Sequence, residues 1–238
     1  MVLKHNSLTC WAGLLIVLTL FAMFLHESAH GVGARIDGTS VSTGFNRVGA
    51  PGKRPSDPDF REGYIVTGKA SVSDVAGPLV NWLLALACAL WLYKRAEPNL
   101  LTMGIAAFGL ANAFLRLVPM ANFFFQSVLG NIALEDEVGW GLGAIRTIQW
   151  PVSLDVLRTT LHENPGLFLG QPAVFLWPAF SLGISILASA AIYRRLRFLL
   201  LDHIDVSEWR WFALMPLLVF PIVFGVAQWL DERVRITW

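Results

Sequence analysis

Residues 8–30 read LTCWAGLLIVLTLFAMFLHESAH. No charge interrupts the run from Leu8 to Leu25. A membrane crossing needs about 20 apolar residues in a helix, so this run, extended through His30, is a first span. His26 and His30 stand four apart at its end. In a helix that spacing stacks two imidazoles on one face, where both reach a single ion. Zinc takes neutral imidazole nitrogen readily. Glu27 follows the first histidine, where a carboxylate can take the proton of a metal-activated water, as in the hydrolysis of amides. The setting is unusual, because the histidines lie at or within a bilayer.

Composition agrees with that setting. The chain of 238 residues is 55% hydrophobic and only 15% charged, against about a quarter charged in soluble domains. The apolar excess is gathered into long runs, which makes the chain an α-helical polytopic membrane protein in contact with lipid. A net charge of +1 gives no reason to expect nucleic acid. Cys10 and Cys88 both fall in apolar runs and read as small core or lipid-facing residues. The first run is longer than the core of a cleaved leader, and cleavage near Ala34 would discard the histidines, so it is read as a retained span.

Four further spans follow: Val75–Tyr93, Asn99–Leu115, Pro172–Tyr193 and Trp211–Leu230. Pro119 is expected to kink or end the third. The whole chain, 1–238, forms a single membrane-embedded domain with two connectors. The first, 31–73, is rich in Gly, Ser, Thr and charge and is expected to be β-rich. Ala34–Val41 carries a hairpin-like Asp37-Gly38 turn, and Tyr64–Val72 reads as a second strand. The second connector, 129–171, holds the acidic cluster Glu135-Asp136-Glu137, heading a segment that looks helical through Ile148. Lys and Arg are distributed so that their loop counts point both ways on orientation. Tryptophans near span ends, among them Trp82, Trp91, Trp209, Trp211 and Trp238, read as an interfacial belt. Nothing here speaks to oligomeric state.

Residues 76–81, Ala-Gly-Pro-Leu-Val-Asn, open the second span. Glycine lets helices approach closely, and proline is tolerated in a first turn. Asn81 is polar inside an apolar segment. It fits an interhelical hydrogen bond, or a catalytic amide near the metal that orients substrate or stabilises an oxyanion. Asp74 reads as the N-cap of this helix. Arg116 is an intramembrane cation that needs a carboxylate or carbonyl partner, or contacts substrate. His162-Glu163 reads as surface, and Asp202-His203 as a short loop.

The motif at His26–His30, the connector after it and Gly77-Pro78-Leu79-Val80-Asn81 together resemble the site-2 protease family of intramembrane zinc metalloproteases, over about the first 85 residues. The resemblance implies a zinc ion held by two histidines and a distal aspartate, Glu27 as acid and base, and a membrane-protein or peptide substrate bound in extended form beside the connector. The sequence departs from the family at the third ligand, since Arg116-Leu117-Val118-Pro119 stands where Asn-x-x-Pro is familiar and Asn112 lies one turn earlier. The acidic cluster is the remaining source. Asp136 is the choice, with Glu135 and Glu137 as alternatives. Two other readings stand beside a peptidase: a zinc-dependent membrane hydrolase of lipid amides or esters, and a non-catalytic metal-binding relative.

Overall fold

A computed structural model describes residues 7–58, 60, 71–142, 154–200 and 204–238. Its elements are α1 (Ser7–Ile36), β1 (Ser42–Thr43), β2 (Val48–Gly49), α2 (Val72–Tyr93), α3 (Leu100–Val128), α4 (Asp136–Leu142), α5 (Leu154–Glu163), α6 (Gly166–Leu169), α7 (Pro172–Leu200), α8 (Val206–Asp231) and β3 (Ile236–Thr237). Among the described residues five helices, α1, α2, α3, α7 and α8, are long and apolar enough to cross a membrane. The protein is an integral, multi-pass membrane protein with a small three-stranded sheet.

The centre of the bundle is α3, which packs against α1, α2 and α7. Small residues make this possible. A Cβ at Gly109 would press into Cys88 of α2 and Ile192 of α7, and Ala85, Ala113 and Ala188 form a seam where the three helices meet. In lipid, helices associate through such close packing and polar contacts, because apolar surface alone gains nothing there. Leu83, Leu90, Leu187 and Leu218 point outward, as expected of residues that face acyl chains.

Pro119 does not end α3, which runs on to Val128. Proline at this position removes the donor that the Leu115 carbonyl would take. Arg116 Nε supplies one instead, at 2.9 Å, so the helix continues with its hydrogen bonds satisfied. The hairpin expected at Ala34–Val41 is also absent. α1 extends to Ile36 and ends in a left-handed Gly38, φ +78°. Thr39 N–H donates to Ala34 and Gly38 N–H to Arg35, the pairing of a Schellman C-terminus. The Asp-Gly pair thus stops a helix rather than turning a hairpin. Of the strand expected at Tyr64–Val72, residues 64–70 lie outside the described residues, while Ser71 caps and Val72 begins α2 instead; 143–148, Asp202 and His203 also lie outside the described residues.

The sheet takes its strands from elsewhere, in the order β2-β1-β3, all antiparallel. β3 comes from the end of the chain and pairs Thr237 with Ser42. Trp238 therefore does not sit in a belt. Its indole donates to Thr43 Oγ1 at 2.7 Å, and its ring fills the space that a side chain at Gly31 would need. Trp82 is likewise buried in the bundle, donating to Ser181 Oγ. The N-cap of α2 is Ser71, not Asp74; the two form a reciprocal capping box. His162 and Glu163 are exposed at the end of α5.

Candidate metal centre

His26 and His30 occupy neighbouring turns of α1, buried to 8% and 3% exposure. Their Nε2 atoms lie 3.1 Å apart. α2 shapes this pair through a stripe at every fourth position. Ser73 O takes His30 Nδ1 at 2.6 Å, and Asn81 Oδ1 takes His26 Nδ1 at 2.6 Å. Between them, Gly77 carries no Cβ, and one there would collide with His30 Nε2. Carbonyl oxygens only accept, so each Nδ1 must be the N–H donor. The neutral ring then directs an Nε2 lone pair inward, the tautomer in which histidines ligate metals.

α4 brings the third donor. Asp136 Oδ2 lies 3.4 Å from His26 Nε2 and 3.6 Å from His30 Nε2. Among the described residues these three are the one cluster of His, Cys and carboxylate side chains able to hold a metal ion. Two facing lone pairs and a carboxylate repel one another unless a cation or proton lies between them. A tetrahedral ion with bonds of about 2.0–2.1 Å sets its ligand atoms about 3.3 Å apart, and the three observed separations bracket that value. The donor set therefore fits a small divalent cation.

Glu137 and Glu135 go elsewhere. Glu137 is fully buried, paired with Arg116 Nη1 at 3.3 Å and accepting from Ser181 Oγ at 2.7 Å. Burial pushes the Glu135 carboxyl up to about 7, against the pull of Arg116, and it faces the cavity. Arg116 Nη1 also donates to Asp136 Oδ2 at 2.8 Å. One guanidinium thus ties both carboxylates of α4 to α3, the partner expected of an intramembrane cation.

Asn81 does not face this space. Its oxygen holds His26, and its amide donates to Asn112 Oδ1 at 2.8 Å, which is in turn anchored on Phe108 O. Asn81 has no exposed surface and does not line the cavity beside the cluster, so its place is behind His26, where it fits a positioning role. Asn81→Ala is expected to lower metal affinity by about 10–100-fold, the usual cost of losing a partner behind a ligand. Competition against a chelator of known affinity measures it.

The cluster borders a cavity of about 520 Å³. Glu27 lines it beside the two histidines, with Asn46 and Arg47 of the β1–β2 turn, and Phe220 and Phe224 of α8. The turn is pinned there by Asp231, whose Oδ1 accepts from the backbone of Phe45 and Asn46 at 2.6 and 3.2 Å. Sequence reasoning missed Ser73, Ser181 and Asp231. Only Ser73 carried a signal, standing four residues before Gly77 and eight before Asn81.

Comparison of the chain with protein-family models, with curated proteins and with solved structures gives no match. The site and fold are therefore the whole ground for a functional reading.

Proposed function

We propose that this protein is an intramembrane zinc metallopeptidase that hydrolyses peptide bonds of membrane-associated substrates. The observation that carries the reading is the convergence of His26 Nε2, His30 Nε2 and Asp136 Oδ2 on one point beside a carboxylate, Glu27, in the wall of the same cavity. Three protein ligands leave a fourth position for water or substrate. Zinc bound there would polarise a carbonyl and bring the pKa of water toward about 7.

The chain's own residues supply the rest. Glu27 takes the proton of the attacking water and passes it to the leaving amine as the carbon–nitrogen bond breaks. Asn81 and Ser73 hold the histidines in their ligating tautomer. The substrate binds in extended form along β2, an outer strand among the described residues with Val48 in the cavity wall, so that backbone hydrogen bonds align the scissile bond. Val48→Pro removes a backbone donor and is expected to weaken peptide hydrolysis while leaving metal content unchanged. Equal hydrolysis by the variant would reject strand addition at this edge.

The test of the reading is direct. The purified protein, loaded with zinc, is presented with transmembrane peptides and, separately, with lipid amides and esters. Peptide cleavage that stops on chelation and returns with zinc supports a peptidase. Cleavage of lipids alone moves the reading to a membrane lipid hydrolase, and cleavage of neither moves it to a non-catalytic metal protein.

A further inference from the structure

We propose that Arg116 is a catalytic residue of this site, donating through Nη2 to the carbonyl oxygen of the substrate as that oxygen becomes negative. The proposal rests on the hydrolytic reading above. It answers a question that the geometry raises. Attack of water on a carbonyl sends the π-electron pair onto the oxygen, and a preorganised N–H donor aimed there is usually the largest protein contribution to lowering the barrier. Asn81 is not placed to be that donor, since it is fully buried behind His26 and does not line the cavity.

The cavity wall narrows the choice. Among its described residues, the side chains bearing N–H groups are His26, His30, Asn46, Arg47 and Arg116. The histidines use one nitrogen as donor and the other toward Asp136. Asn46 and Arg47 belong to the β1–β2 turn. Arg116 alone is hydrogen-bonded to a member of the cluster, at 2.8 Å from Asp136 Oδ2. Its three nitrogens are used unequally. Nε donates to Leu115 O, Nη1 donates to Asp136 and Glu137, and Nη2 has no hydrogen-bond partner among the described residues.

The surroundings keep this donor in place. Arg116 is only 6% exposed, and Glu137 offsets its charge while Ser181 and Trp82 brace Glu137. A guanidinium held on two sides loses little freedom when its third side meets a substrate, and its planar fork cannot be reproduced by an ammonium. The sequence of events balances: water oxygen bonds to carbon, Glu27 receives the proton, and the electron pair rests on the carbonyl oxygen beside Nη2. That pair then re-forms the carbonyl as the carbon–nitrogen bond breaks, and the proton leaves on the amine.

The experiment compares zinc-loaded wild type, Arg116→Lys and Arg116→Ala on a transmembrane peptide, with zinc content measured in each sample. Arg116→Lys keeps the charge that holds Asp136. It is expected to lose about 10²–10³-fold in kcat at nearly unchanged KM and zinc content. Arg116→Ala is expected to lose as much, and to regain part of kcat with millimolar guanidinium. If Arg116→Ala does not fold, Arg116→Lys decides alone. Wild-type kcat in Arg116→Lys, or a loss that only tracks zinc lost, overturns the proposal. Hydrolysis by the wild type separates this from failure of the underlying reading: an inactive wild type removes both, whereas an active wild type with an active lysine variant removes only the role of Arg116.

Discussion

Glu27→Gln is expected to retain its zinc and to lose about 10²–10⁴-fold in hydrolysis, the usual contribution of a positioned acid or base. Glu27 lies on α1 next to His26, about 100° around the helix, so its carboxylate faces the cavity beside the histidine pair and is not one of the three clustered donors. Glutamine keeps the volume and one acceptor oxygen, but its amide cannot accept and return a proton. Metal content and peptide cleavage measured on the same preparation separate the two roles. Wild-type cleavage by Glu27→Gln would remove Glu27 from the mechanism, and loss of metal would make it a ligand.

Asp136→Ala is expected to reduce bound zinc to well below one ion per chain and to abolish hydrolysis. The site would retain two imidazoles, one short of the three protein ligands that a catalytic zinc ordinarily has. The loss should be specific to this carboxylate. Glu135 lies on the cavity wall but outside the cluster, and Glu135→Ala is expected to keep most of its metal. Arg116 retains Glu137 when Asp136 is removed, so α4 keeps one of its two ties to α3. Full zinc in Asp136→Ala together with its loss in Glu135→Ala would mean that the wrong carboxylate was chosen.

The five spans were legible because bilayer thickness demands long uncharged runs, and such runs stand out without any knowledge of packing. Their ends were less so. Pro119 looked like a boundary because the rule for proline counts only the lost hydrogen bond, and the rescue by Arg116 Nε is a side-chain event. Asp37-Gly38 carries the same local preference for a left-handed glycine in a hairpin turn and in a helix C-terminus, so the dipeptide alone does not choose. The third strand was invisible: Ile236–Thr237 acquires its conformation from pairing with Ser42–Thr43, nearly the whole chain away.

At the site, His26 and His30 were readable because their relation is local to one helix. Asp136 was one of three adjacent acids, and no spacing argument separates neighbours whose side chains diverge by about 100° in α4. The structure gives each a different direction: Asp136 toward the histidines, Glu137 toward Arg116 and Ser181, Glu135 toward the cavity. Asn81 was noticed as polar in an apolar run, but its direction depends on how α2 lies against α1. Gly77 sets that approach, and Asn81 comes to lie behind His26 and off the cavity wall.

The central claim is that His26, His30 and Asp136 hold one metal ion. Elemental analysis of the purified wild type beside a His26→Ala, His30→Ala double variant tests it most directly. About one zinc per chain is expected in the wild type and almost none in the double variant, with the variant still folded by far-ultraviolet circular dichroism. A wild type without stoichiometric zinc, or a folded double variant that keeps it, would contradict the account.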